Sequence, residues 1–204
     1  MKRTYRFKIL NKYFFSQPHQ PFFVFGIFWS LLSIFVFALS HNGIISLLIP
    51  ENLFHTYSLI FITFSHFFYG FLFTTFPRFC SSLTIPKAGY IRMISFYQIG
   101  AIIFFMGSLI SWKLTLLGMI FIFLSNILSV FALYLVYKNG SSPVKQDPFW
   151  LLIAQYLGAG SNLAIMVWYF LYNIEIIFNP MLINLIAFYL YIIFTAFVVG
   201  QRMI

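Results

Sequence analysis

The chain has 204 residues, 62% of them hydrophobic and 7% charged, with a mean hydropathy of +0.94, and such a composition cannot cover a globule with a surface that water accepts. A hydrocarbon core roughly 30 Å thick takes about 20 apolar residues per helix, so this length holds about six spans and leaves no room for a soluble domain. The formal charge of +9 is not a nucleic-acid footprint, because the basic residues sit between apolar runs, and the single cysteine, Cys80, excludes an internal disulfide or a cysteine-based metal cluster.

The predicted class is all-α: a polytopic membrane helix bundle solvated by the lipid bilayer. Residues 1–20 form a basic N-terminal tail carrying Lys2, Arg3, Arg6, Lys8 and Lys12, and Pro21 suits the first turn of the helix that follows. Span one is 22–39. Ala38 and Ser40 resemble a signal-peptidase site, but the apolar run exceeds the 7–15 residues of a signal peptide's hydrophobic region.

Span two, 53–76, is closed by Pro77 and Arg78 and contains two histidines, His55 and His66. Span three, 90–111, is followed directly by span four, 114–137, so these two form a tight hairpin. Gly140, Ser141, Ser142 and Pro143 mark the clearest break before span five, 149–172. Asn179 and Pro180 precede span six, 181–199; the bundle is thus predicted over 21–200, with a short cytoplasmic end at 201–204.

Cytoplasmic loops retain Lys and Arg during insertion, so their distribution sets the orientation. With the N-terminus inside, the tail, Arg78, Lys87, Arg92, Lys138, Lys145 and Arg202 all lie on the cytoplasmic side, and only Lys113 lies outside. Both termini are therefore expected in the cytoplasm.

Polarity within a span costs free energy and asks for a reason. His55 and His66 are eleven residues apart, within about 20° of three α-helical turns and about 16 Å along the axis, so a regular helix places them on one face at different depths. Ser58 and Tyr69 extend that stripe. Two readings of His66 stand: a neutral imidazole bonded to a neighbouring helix, or a metal ligand, haem ligand or proton relay. His41 ends span one as His55 begins span two, which sets both at equal depth near the outer surface, as a bis-histidine haem site requires. Simple hydration of interfacial histidines is the alternative. His19, on the cytoplasmic side, is a weaker candidate.

Ala154, Gly158 and Ser161 in span five form a small-residue face that admits another helix, and Gln155 and Asn162 can bond across helices. These read as packing features. The 30 Phe and 13 Tyr read as lipid-facing bulk and interfacial belts. No Walker loop, dinucleotide fingerprint, His-Glu-x-x-His zinc motif or run of intramembrane acids is present, so the chain is not expected to be an enzyme by itself.

Three stretches carry a family resemblance. His19-Gln20-Pro21-Phe22-Phe23 looks like a Phe-Arg-Pro-Phe-Phe motif opening a first helix. Phe54-His55-Thr56-Tyr57-Ser58, followed by Gly70-Phe71-Leu72-Phe73-Thr74-Thr75-Phe76-Pro77, is similar to a Trp-His-x-His-Glu-Met helix ending in Gly-Phe-Leu-x-Thr-x-x-Pro. Gly200-Gln201-Arg202-Met203-Ile204 resembles the beginning of Gly-x-Arg-x-Ile-Pro-Phe-Phe-Thr.

Together they resemble the NnrS family of bacterial haem- and copper-containing membrane proteins linked to nitric oxide resistance. Pro21, Phe22, Phe23, Gly70, Thr74, Pro77 and Arg202 stand at its motif positions, while Gln20, Tyr57 and Ser58 depart from it. The resemblance implies an inner-membrane protein of the nitric oxide stress response that binds haem b, copper or both through His55, with His41 or His66. It also implies about twelve spans in a full-length member, so that the match covers an N-terminal half and the last motif is cut. Two rival expectations are a six-helix transporter half that homodimerises, and a truncated remnant.

Overall fold

Prolines mark where the helices begin. Pro18, Pro50, Pro86 and Pro180 each sit immediately before the first residue of a helix, and Pro148 lies in a first turn, where the missing N–H has no intrahelical acceptor to lose. The computed structural model describes residues 13–176 and 179–203. Among them are six helices long and apolar enough to cross a membrane: α1 His19–His41, α2 Glu51–Phe79, α3 Lys87–Ile110, α4 Trp112–Asn139, α5 Gln146–Tyr172 and α6 Met181–Gln201. No strand occurs among the described residues.

The helices match the predicted spans in number and order and run a few residues further at most ends. Pro77 lies inside the last turn of α2 and does not end it, because the helix runs out within three residues anyway. There Cys80 N–H donates to the Phe76 carbonyl, Ser82 N–H donates to that of Pro77, and Ser81 takes φ 51° to turn the chain. The basic tail residues Lys2, Arg3, Arg6, Lys8 and Lys12 lie outside the described residues, as does Ile204.

The six helices separate the connectors onto two ends. One end holds Arg78, Lys87, Lys138 and Lys145, and the 140–142 loop is tied to the 80–81 turn there by Ser142 N–H to the Cys80 carbonyl at 3.0 Å and Ser141 Oγ to that of Ser81 at 3.1 Å. At the other end Leu48 N–H donates to the Ser108 carbonyl at 2.8 Å.

Helix α2 is central: 61% of its most apolar window is buried, against 22% for α1 and 28% for α6. The outward residues of α1, among them Ile27, Phe28, Leu31 and Phe35, are more than half exposed, which lipid tolerates and water does not. The α3–α4 hairpin is the closest pair. A Cβ added at Gly118 would lie 2.4 Å from the Phe104 nitrogen, so the two backbones meet where a larger residue would hold them apart.

Candidate functional site

Two of the six helices are not α-helical throughout. Ser58–Phe64 of α2 and Ala187–Ile193 of α6 are π-helical, and the two segments pack against one another in the middle of the bundle. A π turn bonds i to i+5 and is frequent at functional sites. In lipid any further donors to its carbonyls must come from the protein.

In α2 three side chains supply them. Ser65 Oγ donates to the Ile60 carbonyl at 3.0 Å, Tyr97 OH to that of Phe61, and His66 Nδ1 to that of Ile62 at 2.6 Å. Ser65 Oγ also pairs with Tyr191 OH of α6 at 2.7 Å, joining the two π segments through a hydroxyl pair. Tyr191 enters because Gly158 of α5 has no side chain; a Cβ there would lie 2.6 Å from the ring.

The protonation pattern at His66 follows from its partners. The indole of Trp29 can only donate, so its Nε1–H at 2.7 Å fixes the Gln98 side-chain oxygen as acceptor. The Gln98 amide nitrogen therefore faces His66 Nε2, at 2.7 Å, as donor. His66 Nε2 must accept, its proton sits on Nδ1, and that proton goes to the Ile62 carbonyl. His66 is fully buried, packed against Tyr97 at 4.4 Å and Phe22 at 5.9 Å, with both ring nitrogens engaged.

His55 is different. Its ring stacks on Phe37 of α1 at 4.2 Å, and its Nδ1 is buried without a hydrogen-bond partner. His41 stacks on the same Phe37 at 5.8 Å, so this one aromatic ring is common to both histidines. His41 is exposed, with Nδ1 3.8 Å from Glu51 Oε2, and the other oxygen of Glu51 accepts from Ser40 Oγ. No group of three or more His, Cys, Asp or Glu able to hold a metal ion occurs among the described residues.

The site residues expected from sequence thus fall into two groups along α2. His41 and His55 gather around Phe37 at the end opposite the basic connectors. His66 lies deeper, among residues from α1 and α3. Both α2 histidines reach α1 even though the π stretch between them adds to the turn and voids the simple eleven-residue phase. Ser58 turns back to the His55 carbonyl at 3.2 Å, and Tyr69 lies buried beside the Tyr97 ring. His19 Nδ1 lies 3.3 Å from Thr74 Oγ1 at the opposite end.

The motif residues meet in space. A Cβ at Gly70 would come within 2.9 Å of Phe22 and Phe23, so the absence of a side chain there admits the aromatic pair that follows Pro21. Phe22 in turn packs edge-on against Phe73 at 5.5 Å. Thr74 bonds back to the Gly70 carbonyl at 2.9 Å, and Arg202 falls in the last turn of the final helical stretch, Phe194–Met203. Tyr57, in place of a second motif histidine, is buried and donates from its hydroxyl to Asn162 Oδ1 at 2.9 Å.

Sequence reasoning missed Gln98, Tyr97 and Tyr191. Gln98 had a signal, being the one amide in its span. The tyrosines had none, since 13 are scattered through the chain. The amides of α5 do bond across helices: Gln155 Nε2 donates to Thr195 Oγ1 of α6 at 3.0 Å, and Asn162 accepts from α2.

The family model described as "NnrS protein" matches residues 13–204. No curated protein and no solved structure matches the chain.

Proposed function

The chain belongs to the NnrS family, and from that premise we propose that it is a bacterial inner-membrane protein of the nitric oxide stress response that holds a haem or copper centre at His55. The multi-pass character rests on six helices long and apolar enough to span. The observation that carries the cofactor reading is the buried His55 Nδ1, which has no partner in an environment where an unsatisfied polar atom is costly.

The donor set fits one imidazole ligand better than two. His66 has no free nitrogen, because the Trp29, Gln98 and Ile62 chain uses both. His41 is exposed and drawn towards Glu51. His55 would therefore hold the group, with Phe37 fixing the plane of its ring. When bound, haem iron or copper supplies a coordination position of the kind that small diatomic ligands take. The residues of this chain would hold and shield the ligand itself: Phe37 covers one ring face of His55, and Phe54 beside it is fully buried.

The test is purification in mild detergent, with an absorption spectrum, metal analysis and nitric oxide titration of the native chain, His55→Ala and His66→Ala. A Soret band or stoichiometric copper is expected in the native chain and in the monodisperse fraction of His66→Ala, and its loss in His55→Ala. A native chain without either, or His55→Ala retaining both, would sink the proposal.

A further inference from the structure

At the basic end of the bundle, between the first half of α3, the last half of α4 and the 81–86 connector, lies an open cavity of about 680 Å³. Its volume falls within the roughly 300–1,000 Å³ of built small-ligand sites. Its lining divides by chemistry. Leu128, Phe131 and Leu135 lie on one face of α4 at helical spacing, an apolar wall running along the helix axis. Ser82 and Thr84 supply hydroxyl groups at the rim, and Arg92 of α3 is the one charged residue in the lining.

Arg92 has no ion pair among the described residues, and no acidic side chain lines the cavity. A guanidinium is always charged and forks onto phosphate oxygens in a paired geometry. Its exposed position near the helix end lets it lie at the headgroup level while its stem covers apolar surface. The connector that closes the cavity is held in place, since its first residues carry the hydrogen bonds to the 140–142 loop. Leu83 in that connector is 88% exposed, an apolar side chain placed to meet acyl chains instead of water.

We propose that this cavity is a binding site for an anionic phospholipid of the adjacent leaflet, its phosphate on Arg92 with Ser82 and Thr84 at the rim, and one acyl chain along Leu128, Phe131 and Leu135. Charge complementarity selects the occupant. A zwitterionic lipid would satisfy the apolar wall equally and bring a cation towards Arg92, whereas an anionic headgroup brings none. Basic pockets between spans on the positive side of a membrane protein recognise such headgroups.

The experiment is native mass spectrometry of the whole protein released from nanodiscs of equimolar phosphatidylglycerol and phosphatidylcholine, counting retained lipid. The native chain is expected to keep phosphatidylglycerol in preference to phosphatidylcholine by about fivefold. Arg92→Gln should remove most of that preference. Leu128→Trp, which fills the apolar wall, should lower total retained lipid while monodispersity persists. Lys138→Gln, on the same basic end but outside the lining, should leave both readings unchanged. Equal retention of the two lipids by the native chain, preserved selectivity in Arg92→Gln, or an equal loss in Lys138→Gln would overturn the site; the last would assign the preference to the general field of the basic end.

Discussion

The α3–α4 hairpin and the α2–α6 contact hold helices together in opposite ways. In the hairpin the backbone is regular and glycine lets the two main chains touch, so cohesion comes chiefly from close packing, with one cross-helix bond from the Ser125 hydroxyl to the Met93 carbonyl at 2.7 Å. Between α2 and α6 both helices carry π-helical stretches, the Ser65–Tyr191 hydroxyl pair joins them, and hydroxyl and imidazole groups donate to carbonyls of the α2 stretch. The contrast teaches that one region fails when something is added and the other when something is removed. It also separates scaffold from site: His55 and His66 lie on the irregular helix.

Substitutions can break or sharpen that contrast. Gly118→Ala should have the largest effect, because the added Cβ meets backbone that cannot rotate away, and overpacking of this kind costs about 3 kcal/mol. Thermal unfolding in detergent, followed by size exclusion, would register it as loss of the monodisperse peak at the lowest temperature of the series. His66→Leu comes next, at about 2 kcal/mol, since it leaves the Gln98 amide without its acceptor in the dry interior. Gln98→Leu strands the Trp29 indole as well as the His66 acceptor, so its effect depends on whether His66 is present, and a double-mutant cycle showing strict additivity would reject the proposed chain of donors.

Tyr191→Phe removes only the hydroxyl that joins the two π segments, and should cost about 0.6 kcal/mol, the average for interhelical hydrogen bonds in lipid. If it proved as damaging as Gly118→Ala, the distinction between steric and polar cohesion would fail. Thr74→Val should be smallest of all, because its contact to His19 is long at 3.3 Å and near the bundle end. A melting curve indistinguishable from the native one is the expected result.

Part of the site was legible before the fold. His55 and His66 stood out because an imidazole inside a greasy span is costly, and the amides of α5 declared themselves in the same way. Gly70 and Phe22 matched motif positions, but only the packed bundle shows why they belong together: the glycine clears the space the aromatic pair occupies. The roles of the two histidines were not readable. Nothing in the spacing tells that one ring is tied at both nitrogens by residues 32 and 4 positions away and the other is left with a buried nitrogen unpaired.

What the sequence determines alone is the count of helices, their order, and the gathering of basic connectors at one end, because long apolar runs partition into a bilayer whatever their neighbours are. What only the tertiary structure decides is the backbone register inside those runs. The π stretch of α2 has local donors in Ser65 and His66, but the Tyr97 hydroxyl on the Phe61 carbonyl and the Tyr191 hydroxyl on Ser65 arrive only when the helices pack.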